Sequence, residues 1–194
     1  MHGAMTAERE KFLLFRIYRN KDPKAFDELY ESYAPRIRRY LSFKLPTPAD
    51  VDEMTSEVFV RAWEYMLATH VDRLGGLLYG IARNIIASFY RTREHRPMEV
   101  ELEGVVDMSH DGASQIVENV DAVMSMEAIE QLLPKLKDEY RDVVIMRYLD
   151  EMTVREIAEG LEKTEASVRM LVHRAMIVLR GMIDKKESPY DDES

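Results

Sequence analysis

The sequence is punctuated by a repeated helix-start signal, in which a side chain that can cap a helix is followed by proline. Asp22-Pro23 and Thr47-Pro48 each precede a long stretch with apolar residues at helical spacing. The capping side chain satisfies free N–H groups of the first turn, and proline fits there because it has no N–H to lose. Glycine and proline are sparse, with 8 and 7 in 194 residues. The sequence therefore predicts an all-α protein.

The spacing of these signals predicts two small helical domains joined by an acidic linker. Four helices are expected in the first half, at Glu8–Arg19, Lys24–Lys44, about 48–68 and Leu77–Glu94. We expect Gly75-Gly76 to break the chain before the fourth helix, and Pro97 to end the domain. The predicted divisions are a first domain at 5–97, a linker at 98–122, a second domain at 123–186 and a disordered acidic tail at 187–194.

The formal net charge of −9 at pH 7 argues against a nucleic-acid-binding protein only if the acids lie on the binding faces. They do not. Between Met98 and Glu130 the chain has nine acidic residues and neither Lys nor Arg, so this segment accounts for the whole net charge. In the remainder of the chain the numbers of basic and acidic residues are equal, which is compatible with locally basic faces.

Several classes of protein are disfavoured by what the sequence lacks. It has no cysteine, no apolar run of about 18 residues, and no basic-then-apolar signal at the N-terminus. We therefore expect a cytoplasmic protein without membrane insertion. A Gly-rich phosphate loop, a His/carboxylate pair at ligand spacing and a nucleophile beside a base are also missing. An enzyme is the weakest interpretation, and we expect no catalytic residues, no cofactor and no metal.

The third predicted helix has two distinct faces. Its core stripe is predicted from residues at helical spacing: Val51, Met54, Thr55, Val58, Ala62 and Met66. The opposite side carries Asp52, Glu53, Ser56, Val60 and Trp63. Tryptophan is enriched at protein interfaces, so this second face is predicted to bind a protein partner. The alternative is that Trp63 covers the edge of its own domain's core.

The fourth predicted helix combines aromatic rings with arginines. Its buried stripe is predicted to be Leu78, Ile81, Ile85, Phe89 and Thr92. The other face carries Tyr79, Arg83, Ile86 and Tyr90, with Arg91, Arg93 and Arg96 at the C-terminal end. Bases stack on aromatic rings while guanidinium groups meet phosphates, so this face is typical of a surface for single-stranded nucleic acid.

The second domain contains a predicted helix-turn-helix. The residues from Thr153 to Glu156 form a capping-box pattern that opens a short helix, Gly160-Leu161 is predicted to make the turn, and Thr164 to cap a longer helix. In that longer helix Arg169, His173, Arg174 and Arg180 are predicted to lie on or beside the outward face, which suits a major groove and its phosphates. Two helices of an ordinary bundle remain the alternative.

Taken in order, these segments resemble the extracytoplasmic-function (ECF) sigma factors. The stretches at 22–30, 52–63 and 78–84 are similar to the first conserved domain of that family, and those at 133–148, 156–158 and 167–175 to the second. The resemblance extends from about Met5 to Lys186. It departs from the family at Leu74-Gly75-Gly76-Leu77, where relatives have an aromatic pair. It departs again at Met170 and Leu171, where many relatives have polar or basic residues. Met176 and Ile177 are predicted to add further apolar surface on or near the outward side of the longer helix.

The resemblance implies that the chain binds core RNA polymerase and promoter DNA, and that an anti-sigma factor can be a further partner. The residues it implies for binding core polymerase are Asp52, Glu53, Ser56, Glu57, Val60 and Trp63. Those it implies for the minus-ten element are Tyr79, Arg83, Asn84, Tyr90, Arg91 and Arg93, with Asn84 helping to capture a flipped base. Those it implies for the minus-thirty-five element are Thr164, Ser167, Arg169, His173 and Arg174. The acidic linker would run through the polymerase near the RNA exit path.

Two other functions fit the same fold. A stand-alone helix-turn-helix regulator would bind duplex DNA without polymerase. A sigma-like protein acting through protein contacts only would bind polymerase without opening promoters.

Overall fold

The computed structural model describes residues 5–93 and 126–187, and for 126–128 and 184–187 only the backbone. Within these ranges all regular structure is helical, as predicted. No helix among them combines the length and the apolar character needed to cross a membrane. By their internal contacts the described residues form two compact units, 5–93 with 158–163, and 126–157 with 164–187. The predicted acidic linker and the C-terminal tail after 187 lie outside the described residues.

Four helices make up the N-terminal part of the chain: α1 (Ala7–Asn20), α2 (Pro23–Ser42), α3 (Pro48–Ala68) and α4 (Leu74–Arg93). The predicted caps are confirmed. Asp22 Oδ1 accepts from the N–H of Lys24 at 3.0 Å, and Thr47 Oγ1 accepts from the N–H of Asp50 at 3.1 Å. The four helices enclose a core of aliphatic residues, among which Ile17, Leu29, Val58 and Leu78 are completely buried.

The start of α4 differs from the prediction. The helix begins at Leu74, so Gly75-Gly76 lies in its first turn and does not break the chain. The cause is a buried carboxylate on α1: Glu10 Oε1 accepts from the N–H of Leu74 at 3.0 Å, and the hydroxyl of Tyr33 donates to Oε2. Free N–H groups at a helix start need such a partner, and Glu10 supplies one from a distant part of the sequence.

The C-terminal part contains four further helices: α5 (Met126–Leu132), α6 (Asp138–Val144), α7 (Val154–Leu161) and α8 (Glu165–Glu187). A π-helical turn at Ile145–Leu149 continues α6. Helix α8 packs on α6 and α5. The guanidinium of Arg141 donates to the carbonyls of Leu133, Pro134 and Leu136, so one side chain holds the whole connection between α5 and α6.

Candidate functional site

An aromatic groove lies between α2 and α3. The rings of Phe26 and Trp63 are 5.0 Å apart between centroids, and those of Tyr30 and Phe59 are 4.6 Å apart. Val60 is 56% exposed beside them. The groove encloses about 480 Å³ and is lined by Pro23, Phe26, Asp27, Tyr30, Ser56, Phe59, Val60, Trp63 and Glu64.

The structure agrees in part with each of the two interpretations of Trp63 drawn from the sequence. The ring is half-buried and rests on Phe26, so it does cover the edge of its own core, yet it also forms a wall of the open groove. Ser56 and Val60 line the same groove, as the predicted face requires. Phe26 and Tyr30 were missed as site residues because they lie on α2, and periodicity within α3 carries no information about a neighbouring helix.

The predicted acidic residues of α3 lie outside the groove lining, where Asp52 and Glu53 are exposed and Glu57 is half-buried. Asp52 forms an ion pair with Arg38 of α2 at 2.5 Å, and Glu57 pairs with Arg61 one turn along α3, also at 2.5 Å. Glu53 is exposed and makes no ion pair with the described residues. The acids at the groove itself are Asp27 and Glu64. The groove therefore combines an apolar floor with a negative edge.

The prediction that Tyr79 faces nucleic acid is wrong. Its side chain is 1% exposed, and its ring lies edge-on to the ring of Tyr40, 5.1 Å away between centroids. The physical reason is that α4 packs against both α2 and α3, so its buried arc is wider than a single stripe. The predicted stripe is shifted for the same reason. Ala82 is buried, Ile81 and Phe89 are half-buried, and Thr92 is exposed.

The remaining predicted residues of α4 stay at the surface. Asn84 and Arg91 are exposed, and Arg83 is half-buried. Tyr90 is 40% exposed, but its hydroxyl donates to the carbonyl of Lys44 at 2.5 Å.

Arg93 is also held by a residue outside α4. It donates to Asp50 at 3.0 Å, and its guanidinium carbon lies 4.2 Å from the ring centroid of Phe89. The last turns of α4 are therefore tied through Tyr90 and Arg93 to the segment between Lys44 and Asp50.

The capping box before α7 is confirmed. The N–H of Thr153 donates to Glu156 Oε2 at 2.8 Å, and the N–H of Glu156 donates back to Thr153 Oγ1 at 3.3 Å. The turn lies later than predicted. Helix α7 continues through Leu161 and ends at Glu162, whose φ of 53° lies in the left-handed region. Thr164 then caps α8 by accepting from the N–H of Ser167 at 3.2 Å.

The predicted residues of α8 share its accessible side. Ser167 and Arg169 are exposed, and His173 and Arg174 are half-buried. Arg169 forms an ion pair with Glu165 at 2.7 Å. Among the described residues Arg174 has no ion-pair partner. The first three turns of α8 therefore present a hydroxyl and two guanidinium groups.

Comparison with known families identifies both halves of the chain. Residues 29–96 match the model described as sigma-70 region 2, and residues 126–179 match the one described as sigma-70 region 4. SigW, an ECF RNA polymerase sigma factor of Bacillus subtilis strain 168, is 29% identical over 173 residues, covering 84% of this chain and 90% of SigW. The chain belongs to the ECF group of the sigma-70 family. As an ECF sigma factor, it directs promoter-specific transcription by RNA polymerase.

Other relatives of this ECF sigma factor are more distant. The sigma-E factor of Escherichia coli K12 is 25% identical over 175 residues, covering 87% of this chain and 89% of that factor. Among solved structures, CnrH in complex with the cytosolic domain of CnrY gives a TM-score of 0.63 at 20% identity, covering 91% of this chain and 98% of that one. RpoE of Bartonella quintana, in complex with the anti-sigma factor NepR, gives 0.57 at 14% identity, covering 83% and 98%. These two likenesses support the fold.

Proposed function

We propose that this sigma factor docks on core RNA polymerase through the aromatic groove between α2 and α3. The observation that carries the proposal is the combination of a half-buried Trp63 with an exposed Val60 in an open groove of about 480 Å³. Buried aromatic anchors dominate the energy of protein interfaces. The edge of the groove is acidic, so the matching surface on polymerase is expected to be a helical segment with apolar and basic side chains.

Helix α4 is proposed to take up the minus-ten element as a single strand. Asn84, Arg83 and Arg91 lie along its accessible side, and Tyr90 offers a partly exposed ring. A base that leaves the duplex loses a few kcal/mol of stacking and pairing, which contacts to its face and edge can offset. Arg93 is proposed to meet the phosphate backbone from its position over Phe89. Tyr79 is buried and takes no part in this proposal.

Helix α8 is proposed to enter the major groove at the minus-thirty-five element. Its N-terminal turns carry Ser167, Arg169, His173 and Arg174, which can contact base edges and the flanking phosphates. In this assignment α7 is the first helix of the helix-turn-helix, and the Thr153–Glu156 capping box stabilises its start.

The regulation and location of the protein are proposed from its relatives. CnrH and RpoE were each solved with a protein partner, and the partner of RpoE is an anti-sigma factor. We infer that an anti-sigma factor also holds this chain inactive until it is released. A cytoplasmic location follows from its work on RNA polymerase, and it acts by binding, with no chemistry of its own.

The groove is tested with two variants of the full chain and core RNA polymerase. Trp63→Ala is expected to weaken binding to core on the order of 30-fold, because it removes an aromatic anchor. Val60→Asp adds a charge inside the groove at an exposed position, so it is expected to weaken binding without loss of fold. Tyr65→Ala is the control, since Tyr65 is a 47% exposed aromatic of α3 outside the groove lining.

The binding measurement is paired with transcription from sheared genomic DNA. Start sites that require both proteins, and that are lost with Val60→Asp and retained with Tyr65→Ala, would support the proposal. Unchanged binding of both groove variants would overturn the assignment of the groove. Duplex binding without any response to core would favour a stand-alone regulator.

A further inference from the structure

The outward side of α8 has an apolar centre that the proposed function does not use. Successive residues advance by about 100° around a helix. The buried side is formed by Val168, Val172, Ala175 and Leu179. The opposite side is centred on Ala166, Met170 and Ile177, of which Ala166 is exposed, Met170 half-buried and Ile177 56% exposed. Polar residues flank this line of apolar side chains.

The position of Met170 along α8 places it among the base-reading candidates. The cap at Thr164 fixes where the helix starts, so Ala166, Ser167 and Met170 fall in its first two turns. Residues in the first turns of a recognition helix are the ones that reach base edges. Ile177 lies seven residues further on, which is about 10 Å along the axis. Met170 and Ala166 therefore lie where base edges would be, and Ile177 does not.

The charges around this centre favour DNA as its occupant. From residue 163 to 183 the chain has four Lys or Arg and a single acid, Glu165, which is already paired with Arg169. Arg174 stands beside Met170 without an ion-pair partner in the described structure. Such cations can contact the phosphates on either side of a DNA groove. The apolar side chains between the cations can then contact an apolar group on the groove floor.

We propose that Met170, supported by Ala166, reads the C5-methyl group of a thymine in the upstream promoter element. Thymine is the base that presents a methyl group in the major groove, and apolar side chains recognise it by contact. The thioether of methionine is flexible and can adapt to a methyl group that lies to one side of the helix axis. This inference rests on the proposed role of α8 and adds the chemical feature that it selects.

The size of the effect follows from the burial of one methyl group. Removing it from the contact is expected to weaken binding about fourfold. Deoxyuridine pairs as thymine does and lacks only this methyl group, so replacing single thymines by deoxyuridine isolates the contact.

The experiment uses the holoenzyme formed by the full chain and core polymerase. Promoter fragments are recovered by sequencing the transcripts that require both components, and each thymine of the upstream element is replaced in turn by deoxyuridine. With the unmodified chain, one replacement is expected to weaken binding about fourfold. With Met170→Gln, which keeps the length and loses the apolar end, that replacement is expected to have no effect. Met170→Leu is expected to preserve the effect, and so is the position control Ile177→Ala.

The outcomes separate this inference from the function on which it rests. If the holoenzyme gives start sites but no thymine methyl affects binding, the inference is overturned and the sigma activity stands. The same follows if a methyl effect persists undiminished in Met170→Gln. If no start sites appear with core polymerase, the proposed function fails first and the inference fails with it.

Discussion

The carboxylate of Glu10 accepts a hydrogen bond from the backbone N–H of Leu74, with 3.0 Å between Oε1 and the nitrogen. Glu10 lies in α1 and Leu74 opens α4, 64 residues later. The second oxygen accepts from the hydroxyl of Tyr33 in α2. One buried carboxylate therefore connects three helices and lies against the positive end of α4, where a negative charge is favourable.

Replacing Glu10 is expected to destabilise the first unit. Glu10→Ala leaves the N–H of Leu74 and the hydroxyl of Tyr33 buried without this acceptor, which is expected to cost about 3 kcal/mol in the free energy of unfolding. Urea unfolding followed by fluorescence measures this unit, because the single tryptophan of the chain is Trp63. Glu8→Ala, an exposed position in the same turn, serves as control and is expected to change stability by less than about 0.5 kcal/mol. Equal effects of both variants would contradict the assignment.

Tyr79 and Asn84 are expected to separate folding from function. Tyr79→Ala removes a buried ring from its contact with Tyr40, so unfolding is expected to become easier by about 3 kcal/mol. Asn84 is exposed, so Asn84→Ala is expected to leave stability within about 0.5 kcal/mol and to reduce the yield of heparin-resistant open complexes. A stable Tyr79→Ala chain with a promoter defect would restore Tyr79 as a nucleic-acid contact.

Arg91 and Arg93 are neighbours with different expected roles. Arg91 is exposed and forms no ion pair with the residues that the structure describes, so Arg91→Ala is expected to lower promoter affinity and to reduce the slope of log affinity against log salt by about 1. Arg93 also has a proposed phosphate contact, but its ion pair with Asp50 already offsets part of its charge. Arg93→Ala is therefore expected to cost about 1 kcal/mol of stability and to change the salt slope less than Arg91→Ala does. Equal changes in salt slope would show that the Asp50 contact does not restrain Arg93.

The ion pairs that join α1 and α2 are expected to make the stability of the first unit depend on pH. Burial raises the pKa of Asp22, but the hydrogen bonds from Arg16 and from the N–H groups of Ala25 and Lys24 outweigh it and lower the pKa below its usual range. The hydrogen bond from Arg9 likewise lowers the pKa of Glu28. A carboxylate with a lowered pKa stabilises the fold above its unfolded pKa and loses that contribution as pH falls.

The first unit is therefore expected to lose stability as pH falls below about 4. Urea midpoints measured by Trp63 fluorescence from pH 6 to pH 3 test this expectation. The double variant Asp22→Asn, Glu28→Gln is expected to show a lower midpoint at pH 6 and a flatter decline. A decline as steep as that of the unmodified chain would assign the pH dependence to other carboxylates.

Local signals made most of the fold predictable. Asp22-Pro23, Thr47-Pro48 and the Thr153–Glu156 capping box each act within about three residues, so the sequence alone locates the helix starts they control. The core stripe of α3 was equally predictable. Five of its six predicted residues are buried, namely Val51, Thr55, Val58, Ala62 and Met66, and the sixth, Met54, is half-buried.

The errors arose where a distant residue decides the local structure. Gly75-Gly76 forms part of a helix because Glu10 caps that helix from 64 residues away. Tyr79 is buried because α4 packs against two neighbouring helices. A single apolar stripe read from the sequence assumes that a helix packs against one neighbour. Only one wall of the aromatic groove was predicted, for a related reason. The periodicity of α3 identified Trp63 and Val60, whereas Phe26 lies on α2.

The attachments of α4 limit how its promoter preference can be transplanted. The helix is fastened at its start by Glu10 and at its end by Lys44 and Asp50, and none of these residues belongs to it. A chimaera that received only residues 74–93 would inherit the side chains without the three attachment points that orient them. An exchange of promoter specificity between such proteins is expected to succeed only when Glu10, Lys44 and Asp50 are exchanged together with the helix. The unit of exchange is therefore α4 with its three contacts, and not α4 alone.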